Sequence, residues 1–230
     1  MEHRFVRTEL VLGAEKLQRL QRASVAVVGL GGVGGHAAEA LARSGVGRLI
    51  LIDHDVVAIS NLNRQIVALE ATLGRPKVEV MAERIAQINP ECQVLPCQAF
   101  YKRENHKVLL PAGLDFVADA IDSVQAKVDL IESCLTEGIP IISAMGAGNK
   151  LDPTRLRIAD ISQTHTCALA RAVRGALRRR GIGRGLTVVF SDEKSVGSKA
   201  GSTPGSTAFV PGAAGLIMAS WIVRKICGEV

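Results

Sequence analysis

Aromatic residues are scarce in this chain and make up 3% of its 230 residues, with one tryptophan and one tyrosine. Hydrophobic residues nevertheless reach 47%, which excludes the disordered class of proteins, because such chains are poor in apolar residues and rich in charge. The core is therefore expected to consist of valine, isoleucine, leucine and alanine. The length suffices for one large domain.

Paired cysteines are also missing. Five cysteines, an odd number, lie at positions 92, 97, 134, 167 and 227, and no two of them have the C-x-x-C spacing. The sequence therefore indicates neither a disulfide framework nor a zinc site of four cysteines.

Long apolar runs are absent at both ends. The first ten residues have no apolar signal core and no transit-peptide character. The apolar segment 212–226 contains Arg224 and Lys225 and is shorter than the roughly 20 residues of a membrane span. We expect a cytoplasmic protein without stable membrane insertion, in which 212–226 is a core or dimer helix. Peripheral membrane contact is the alternative.

Residues 24–34 combine a short apolar run with several glycines. The continuous run Val25–Val28 is typical of a strand that is covered on both faces in a parallel sheet. Glycines after it permit a sharp turn and a close approach of the backbone to a ligand, and a helix starting near Val33 offers its N-terminal amides to an anion. The glycines are Gly29, Gly31, Gly32 and Gly34.

Two acids follow the next apolar run, Leu49–Ile52. Asp53 lies about 20 residues after the last glycine, the spacing at which an acid reaches a ribose hydroxyl, and Asp55 stands two positions later. The combination predicts a nucleotide site. A purely structural corner between strand and helix is the alternative.

Two cations, Arg64 and Lys77, help to distinguish between the possible nucleotides. The polar cluster Ser60–Gln65 contains Arg64, which a hydride-transfer enzyme of this fold does not need. Lys77 follows Pro76 and is predicted to begin a helix, where the dipole disfavours a cation by about 0.3–1 kcal/mol. A bound anion would offset this cost. A solvated surface lysine is the alternative for Lys77.

Strands and helices alternate over the first 145 residues, with strands expected at 93–98, 116–118 and 139–144. This rhythm predicts an α/β fold, a Rossmann-like doubly wound and mostly parallel sheet, followed by an antiparallel extension at 156–161 and a basic helix. Asp122 lies just beyond the strand 116–118, at the sheet edge where ligands bind. A carboxylate beside bound phosphates requires a cation between them, which makes Asp122 a candidate ligand of Mg²⁺. A helix cap is the alternative role of Asp122.

A run of arginines follows residue 166. The chain has 28 lysines and arginines and 22 aspartates and glutamates, so without these six arginines the two numbers are equal. Arginines and apolar residues alternate at helical spacing, which predicts an amphipathic helix that binds a polyanion such as RNA. A merely solvated face is the alternative. The six residues are Arg171, Arg174, Arg178, Arg179, Arg180 and Arg184.

Several of these motifs together resemble the ATP-binding core of the ubiquitin-activating-enzyme-like superfamily and, within it, the tRNA threonylcarbamoyladenosine dehydratases. The resemblance runs from Arg4 to about Arg224. It is carried by Gly29–Gly34, Asp53-x-Asp55, Ser60–Arg64, Gly74–Lys77, Met81–Ile85, Asn89–Cys92, Asp119–Val124, Gly146–Gly148 and Asp152–Thr154.

The resemblance implies an ATP-dependent enzyme that activates the threonyl carboxylate of N6-threonylcarbamoyladenosine in tRNA and closes a ring. It implies a homodimer in which Arg7 reaches the partner's ATP; the alternative is that Arg7 is an ordinary surface arginine. A sulfur-transfer protein or cysteine desulfurase is a further candidate partner. Arg64, Lys77 and Asp122 are the expected catalytic residues. The expected nucleotide contacts are Gly29, Gly31, Gly32, Gly34, Asp53, Asp55, Ser60, Asn61, Arg64, Gln65, Lys77, Asp122, Ser123 and Arg7.

Two other functions stay open at this point. One is adenylation of the C-terminus of a ubiquitin-like or sulfur-carrier protein, with or without a later transfer to a cysteine. The other, a nicotinamide-dependent oxidoreductase, is disfavoured because it leaves Arg64, Lys77 and Asp122 without a role. The chain departs from the dehydratases at Cys167-Ala168, where they tend to have Asp-Pro. We nevertheless expect Cys167 to be dispensable.

The chain is expected to form one adenylating domain over residues 1–230. It is divided into an N-terminal helical arm (1–22), a nucleotide-binding core (23–145) and a substrate-binding part (146–230). The last part contains a Ser/Gly/Lys-rich segment, 191–207, that is predicted to be a mobile loop.

Overall fold

A computed structural model describes residues 3–196 and 204–230 of the chain. Within these residues one sheet has the strand order β3-β2-β1-β4-β5-β7-β6. Neighbouring strands are parallel except for β6, which pairs antiparallel with β7. The strands are β1 (Ser24–Val28), β2 (Arg48–Asp53), β3 (Gln93–Gln98), β4 (Phe116–Asp119), β5 (Ile141–Ala144), β6 (Leu156–Asp160) and β7 (Thr187–Ser191).

Helices cover both faces of this sheet. Alternate residues of β1 explain the two layers, because Val25 and Val27 pack into one apolar cluster and Ala26 and Val28 into the other. The first cluster includes residues of α3, α4 and α8, and the second those of α6 and α7. The helices are α1 (Val6–Leu12), α2 (Ala14–Arg22), α3 (Gly34–Arg43), α4 (Lys77–Ile88), α5 (His106–Leu109), α6 (Val124–Glu137), α7 (Ala168–Arg179) and α8 (Phe209–Ile226).

The predicted fold class is confirmed, including the antiparallel extension at β6. The main parallel strands lack polar alternation, as β1 illustrates, because both of its faces are buried. Since the carboxyl ends of parallel strands meet at one edge, the loops after β1, β2, β4 and β5 lie together there. This edge holds the glycine turn and the predicted acids.

Three local expectations need correction. The predicted N-terminal segment is broken into α1 and α2 at Gly13, whose φ of 83° a residue with a side chain rarely adopts. α8 begins at Phe209, earlier than the expected 212, and Pro211 fits its first turns. Ser191 ends β7, a strand that the sequence analysis missed, so the predicted mobile segment starts after it. Its residues 197–203 lie outside the described part of the chain.

α8 is long and apolar enough to cross a membrane by length and composition, the one such helix in the described residues. Its buried residues pack in the cluster that α3, β1 and β2 share, and core helices of soluble proteins pass the same test. The expectation of a core helix fits this packing. The absence of membrane insertion stays a prediction, as does the division of the chain into arm, core and substrate-binding part.

Candidate nucleotide site

The glycine turn after β1 is shaped by close contacts that exclude side chains. A Cβ at Gly29, whose φ is 91°, would lie 2.7 Å from the Ala120 carbonyl oxygen, and a Cβ at Gly34 would lie 1.7 Å from the Gly29 oxygen. At Gly31 the situation differs, because a Cβ there would have only the Gln65 amide nitrogen within 4 Å, at 3.9 Å. The fold therefore does not require glycine at position 31. Glycine there leaves room for a ligand to approach the backbone closely.

Asp53 is fixed against this turn at the end of β2. One carboxylate oxygen accepts a hydrogen bond from the Leu30 N–H at 2.5 Å, and the other accepts one from the Asp55 N–H at 2.8 Å. The side chain is buried. The acid thus holds the glycine turn in place, and its role toward a ribose stays a prediction.

Lys77 begins α4, as predicted, but it is not a solvated surface residue. Its side chain is buried, and its Nζ lies 2.7 Å from Oδ2 of Asp55, whose side chain is half-exposed. The Lys77 N–H also donates to the Asp55 carbonyl oxygen at 3.1 Å. Asp55 offsets the unfavourable position of a cation at the positive end of a helix. The ammonium group is therefore positioned before any ligand binds.

The polar cluster after β2 folds into a short 3-10 turn, Ile59–Asn61, and the turn that follows it. Arg64 donates through Nη1 to the Ser60 carbonyl oxygen at 2.7 Å and to Oδ1 of Asn63 at 2.9 Å. Asn61 is buried and accepts the Ala58 N–H through Oδ1 at 3.0 Å. These bonds fix the guanidinium group and the turn that carries it.

Gln65 contains an orphaned acceptor. Its Oε1 is buried and has no hydrogen-bond partner in the described residues, and its amide lies beside Gly31. Leaving such an atom unsatisfied costs about 1–3 kcal/mol. A hydroxyl or amino group of a ligand beside Gly31 would remove this cost.

The loop after β4 carries an exposed acid on a buried support. Asp119 is fully buried, and its Oδ1 accepts the Ile121 N–H at 3.0 Å. Asp122 is exposed, with no hydrogen bond or ion pair in the described residues. The alternative that Asp122 caps α6 is wrong, because Ser123 occupies the N-cap position and no side chain caps the helix there. Asp122 is thus available to a cation.

Lys127 is a residue that the sequence analysis missed. It is fully buried, and its Nζ bonds to Asp119 Oδ2 at 2.8 Å, the Ala144 oxygen at 3.0 Å and Ser143 Oγ at 3.3 Å. All three ammonium hydrogens are thereby used. The sequence signal for this pair was a lysine between Ala126 and Val128, on the apolar side of a helix, because a buried lysine needs a carboxylate partner.

The basic segment forms α7 and the turn after it. Val173 and Leu177 are buried, which confirms the predicted amphipathic helix. A Cβ at Gly146, just after β5, would lie 3.4 Å from Sγ of Cys167, the N-cap residue of α7. The helix therefore starts at the same sheet edge as the nucleotide loops.

The ThiF family model matches residues 4–230. This chain belongs to the ThiF family. It is 49% identical to the tRNA threonylcarbamoyladenosine dehydratase of Bacillus subtilis over 246 aligned positions, which cover 100% of this chain and 97% of that protein. The resemblance found in the sequence is thus confirmed.

Solved structures give the same result. The E. coli tRNA N6-threonylcarbamoyladenosine dehydratase in complex with ATP has a TM-score of 0.93 and 40% identity, and the match covers 98% of this chain and 94% of that chain. The same E. coli enzyme in complex with AMP has a TM-score of 0.94 and 39% identity at the same coverage. The Rossmann-like fold of this ThiF-family chain is thereby established.

Cysteine chemistry in this ThiF-family chain is restrained by burial. Burial raises the pKa of the Cys92 thiol to about 11 and that of Cys134 to about 12. Burial likewise raises the pKa of Cys97 and of Cys227. Cys167 is buried, and its Sγ accepts the Ala170 N–H at 3.5 Å as the cap of α7. Four of the five thiols are therefore poor candidates for a thiolate nucleophile.

Asn149, in the loop after β5, joins the two chain segments that flank residues 197–203. Its carbonyl oxygen accepts the Val196 N–H at 2.9 Å, while its N–H donates to the Gly205 oxygen and its Oδ1 accepts the Gly205 N–H. Its φ of 55° is in the left-handed region that asparagine tolerates better than most residues. Asn63, beside Arg64, donates to the Ser206 oxygen at 3.0 Å. The flanking segments thus contact the site on two sides.

Proposed function

We propose that this chain uses ATP to activate the threonyl carboxylate of N6-threonylcarbamoyladenosine in tRNA, and that the activated group closes into a ring with net loss of water. The observation that carries the proposal is the arrangement of Arg64, Lys77 and Asp122 around the glycine turn, in a chain with 49% identity to a dehydratase over its full length. Relatives that were solved with ATP and AMP support ATP as the nucleotide.

The described residues fit ATP. Gly31 has no side chain where the fold leaves room for one, and Gln65 Oε1 lacks a donor beside it. Asp53 places an acid at the end of β2, suited to a ribose hydroxyl. When bound, ATP supplies an AMP group that turns the carboxylate oxygen into a good leaving group.

Positioning and electrostatics are the work of the protein in this reaction. Carboxylate and triphosphate repel each other, so the cations Lys77 and Arg64 must screen both and stabilise charge that develops at the α-phosphorus. Asn61 and Gln65 are hydrogen-bonding partners in this proposal. Because Lys77 and Arg64 are already fixed by Asp55 and Ser60, little reorganisation is needed when the substrates bind.

Mg²⁺ belongs to the proposal through Asp122. Mg²⁺ in nucleotide sites prefers one or two carboxylates together with phosphate oxygens, and Asp122 is an exposed carboxylate without another partner in the described structure. The ion would neutralise phosphate charge there. Ser123, at the N-cap of α6, lies beside it.

Ring closure requires no nucleophile from the enzyme, because the attacking atom belongs to the same modified side chain. In the carrier-activating function, adenylation of the carrier needs no thiol, and only a subsequent transfer to the enzyme would use a cysteine; burial disfavours four of the five thiols for that transfer. Family membership leaves the oxidoreductase without support.

Partners and location complete the proposal. A homodimer would allow Arg7, which is exposed on α1, to reach the nucleotide of the partner subunit. Cooperation with a sulfur-transfer protein and a cytoplasmic location are further parts of the proposal.

The test uses tRNA from a strain that lacks the protein. Purified protein is incubated with this tRNA and ATP, with and without Mg²⁺, and nucleosides are examined by mass spectrometry. We expect the threonylcarbamoyl nucleoside to lose one water only when ATP and Mg²⁺ are both present. Persistence of the open nucleoside while the protein consumes ATP with a small carrier protein would overturn the proposal.

Asp122→Asn tests the cation. The amide keeps the size of the side chain but removes the charge, so the variant should lose Mg²⁺-dependent turnover while ATP binding without Mg²⁺ stays near wild type. Asp115→Asn, at the opposite edge of the sheet, serves as the matched control. A wild-type enzyme that is indifferent to Mg²⁺ would show the metal role to be wrong.

A further inference from the structure

The six arginines of the basic segment divide into two groups in the folded chain. Arg174 donates from Nη1 to the Thr164 oxygen at 2.7 Å, and Arg180 lies 2.7 Å from both Asp129 and Glu132 of α6. These two arginines stabilise the fold. The remaining four are exposed and have no ion pair within 4.0 Å in the described residues: Arg171, Arg178, Arg179 and Arg184.

Acids do not neutralise three of these four arginines. Asp129 and Glu132 are used by Arg180. Asp160 partly compensates Arg184: burial raises the pKa of the Asp160 carboxyl, but hydrogen bonds from Ser162 and the Gly185 N–H, together with the charge of Arg184, hold that pKa below its ordinary value. Uncompensated cations are therefore concentrated on one face.

The surface beside these arginines is concave. A shallow groove of about 660 Å³ is lined by Arg178, Arg184 and the Gly181–Gly183 turn, together with Ser162 and Leu135 of α6. Glycines let a ligand approach the backbone closely. A chain with regularly spaced negative charges fits such a groove better than an apolar one.

α7 connects this surface to the nucleotide site. The helix starts at Cys167, at the sheet edge that carries Asp122, and runs for 12 residues, which is about 18 Å at 1.5 Å per residue. Arg171 lies one turn after Cys167, and Arg178 and Arg179 lie at the far end of the helix. A ligand that enters the site would thus extend along a line of cations.

We propose that the exposed arginines of α7 and its following turn bind the backbone phosphates of the tRNA arm whose modified nucleoside enters the site. The proposal rests on the proposed function for the identity of the RNA. Phosphate contacts position a nucleic acid without reading its sequence, so this surface sets the direction in which the arm leaves the site.

The test replaces the exposed group and leaves the structural group intact. In Arg171→Ser/Arg178→Ser/Arg179→Ser, tRNA affinity should fall at least tenfold near physiological salt, and the slope of log affinity against log salt should fall by about one for each phosphate that is no longer bound. ATP affinity should stay at the wild-type value. Turnover at saturating tRNA should be retained, so the weaker binding appears in KM. Arg174 is left unchanged because its replacement would free Thr164.

Two control variants separate this surface from general charge. Arg22→Ser/Arg224→Ser/Lys225→Ser removes three cations from α2 and α8, which pack on the other face of the sheet from α7, and should bind tRNA as the wild type does. Replacing Arg171, Arg178 and Arg179 by lysine keeps the charges and should restore most of the affinity and the salt slope. Wild-type ATP affinity in the serine variant shows that this variant has kept its fold.

Three outcomes overturn the inference. The first is a serine variant whose tRNA affinity and salt slope equal those of the wild type. The second is an equal loss of tRNA affinity in the serine variant and in the control on α2 and α8. The third is a serine variant that no longer binds anionic vesicles but still binds tRNA, which would assign the face to a lipid surface. A wild type that binds tRNA through this face but leaves the nucleoside open would instead refute the proposed function alone.

Discussion

Lys77 and Lys127 lie buried beside the nucleotide loops, each with a carboxylate oxygen within 2.8 Å. Arg171, Arg178 and Arg179 lie exposed on α7, with no carboxylate within ion-pair distance in the described structure. Ions screen exposed charges and hardly reach buried pairs. The two regions therefore use cations differently. The buried lysines fix the positions of groups in the site, whereas the exposed arginines of α7 attract a polyanion over a distance.

The largest expected effect is on catalysis, in the nucleotide site. Lys77→Ala or Arg64→Ala should lower kcat by about 10²–10³, the usual loss when one group that stabilises transition-state charge is removed. The fold should survive, because Asp55 is half-exposed and water can hydrate it. Single-turnover rates and thermal unfolding measure the two quantities. Lys102→Ala, which removes an exposed lysine outside the site, should match the wild type.

Retained turnover in either variant would contradict the site assignment. The salt response sharpens the comparison further, because ATP binding through fixed cations should depend less on salt than tRNA binding through α7. Equal salt slopes for the two ligands would remove the distinction between the regions.

The next effect concerns stability rather than rate. Lys127→Met leaves Asp119 as an unpaired buried charge, which typically costs about 3–5 kcal/mol of the free energy of unfolding. Adding Asp119→Asn removes that charge and keeps an acceptor for the Ile121 N–H, so the double variant should recover part of the loss. Urea unfolding measures both variants.

Arg84→Met provides the comparison for this pair, since Arg84 contacts the buried Glu39 between α3 and α4, away from the loop of Asp122. The Lys127 variants should also increase hydrogen exchange at the Ile121 amide, whereas Arg84→Met should not. A loss below about 1 kcal/mol in Lys127→Met, the range of surface pairs, would show that the pair does not hold the loop.

The smallest expected effect is at Cys167. Cys167→Ser should keep the wild-type rate, because ring closure needs no thiol and serine is among the preferred N-cap residues. The rate of water loss from the tRNA nucleoside measures it, with Cys134→Ser as a second buried thiol for comparison. A folded but inactive Cys167→Ser protein would favour the carrier-activating function.

The sequence predicted those elements that depend on neighbouring residues. The apolar run of β1, the glycine turn and the start of α4 at Lys77 depend on neighbours in sequence, and the structure has them where they were expected. The pairing of Arg180 with Asp129 and Glu132 was invisible because it joins residues about 50 positions apart. Because of this pairing, the positive charge of the arginine run is partly compensated, although no acid lies near the run in the sequence.

Buried charges were the hardest part to predict. Lys127 stands in a segment that also contains the charged residues Asp129 and Glu132, so only its apolar neighbours indicate that it is buried, and its partner Asp119 resembles an ordinary end of a strand. β7 was missed because its short run, Thr187–Ser191, adjoins a stretch rich in serine and glycine. In both cases the missing information was which segment packs against which.

Asn149 has a practical consequence. Because it holds the chain at Val196 and Gly205 together, the ends of the intervening segment stay at a fixed separation whatever its length. The carboxyl end of β5 and the chain at Gly205 are therefore tied through a single residue. Asn149→Ala would remove the acceptor of the Gly205 N–H and should raise hydrogen exchange at Gly205 while the strands keep their register.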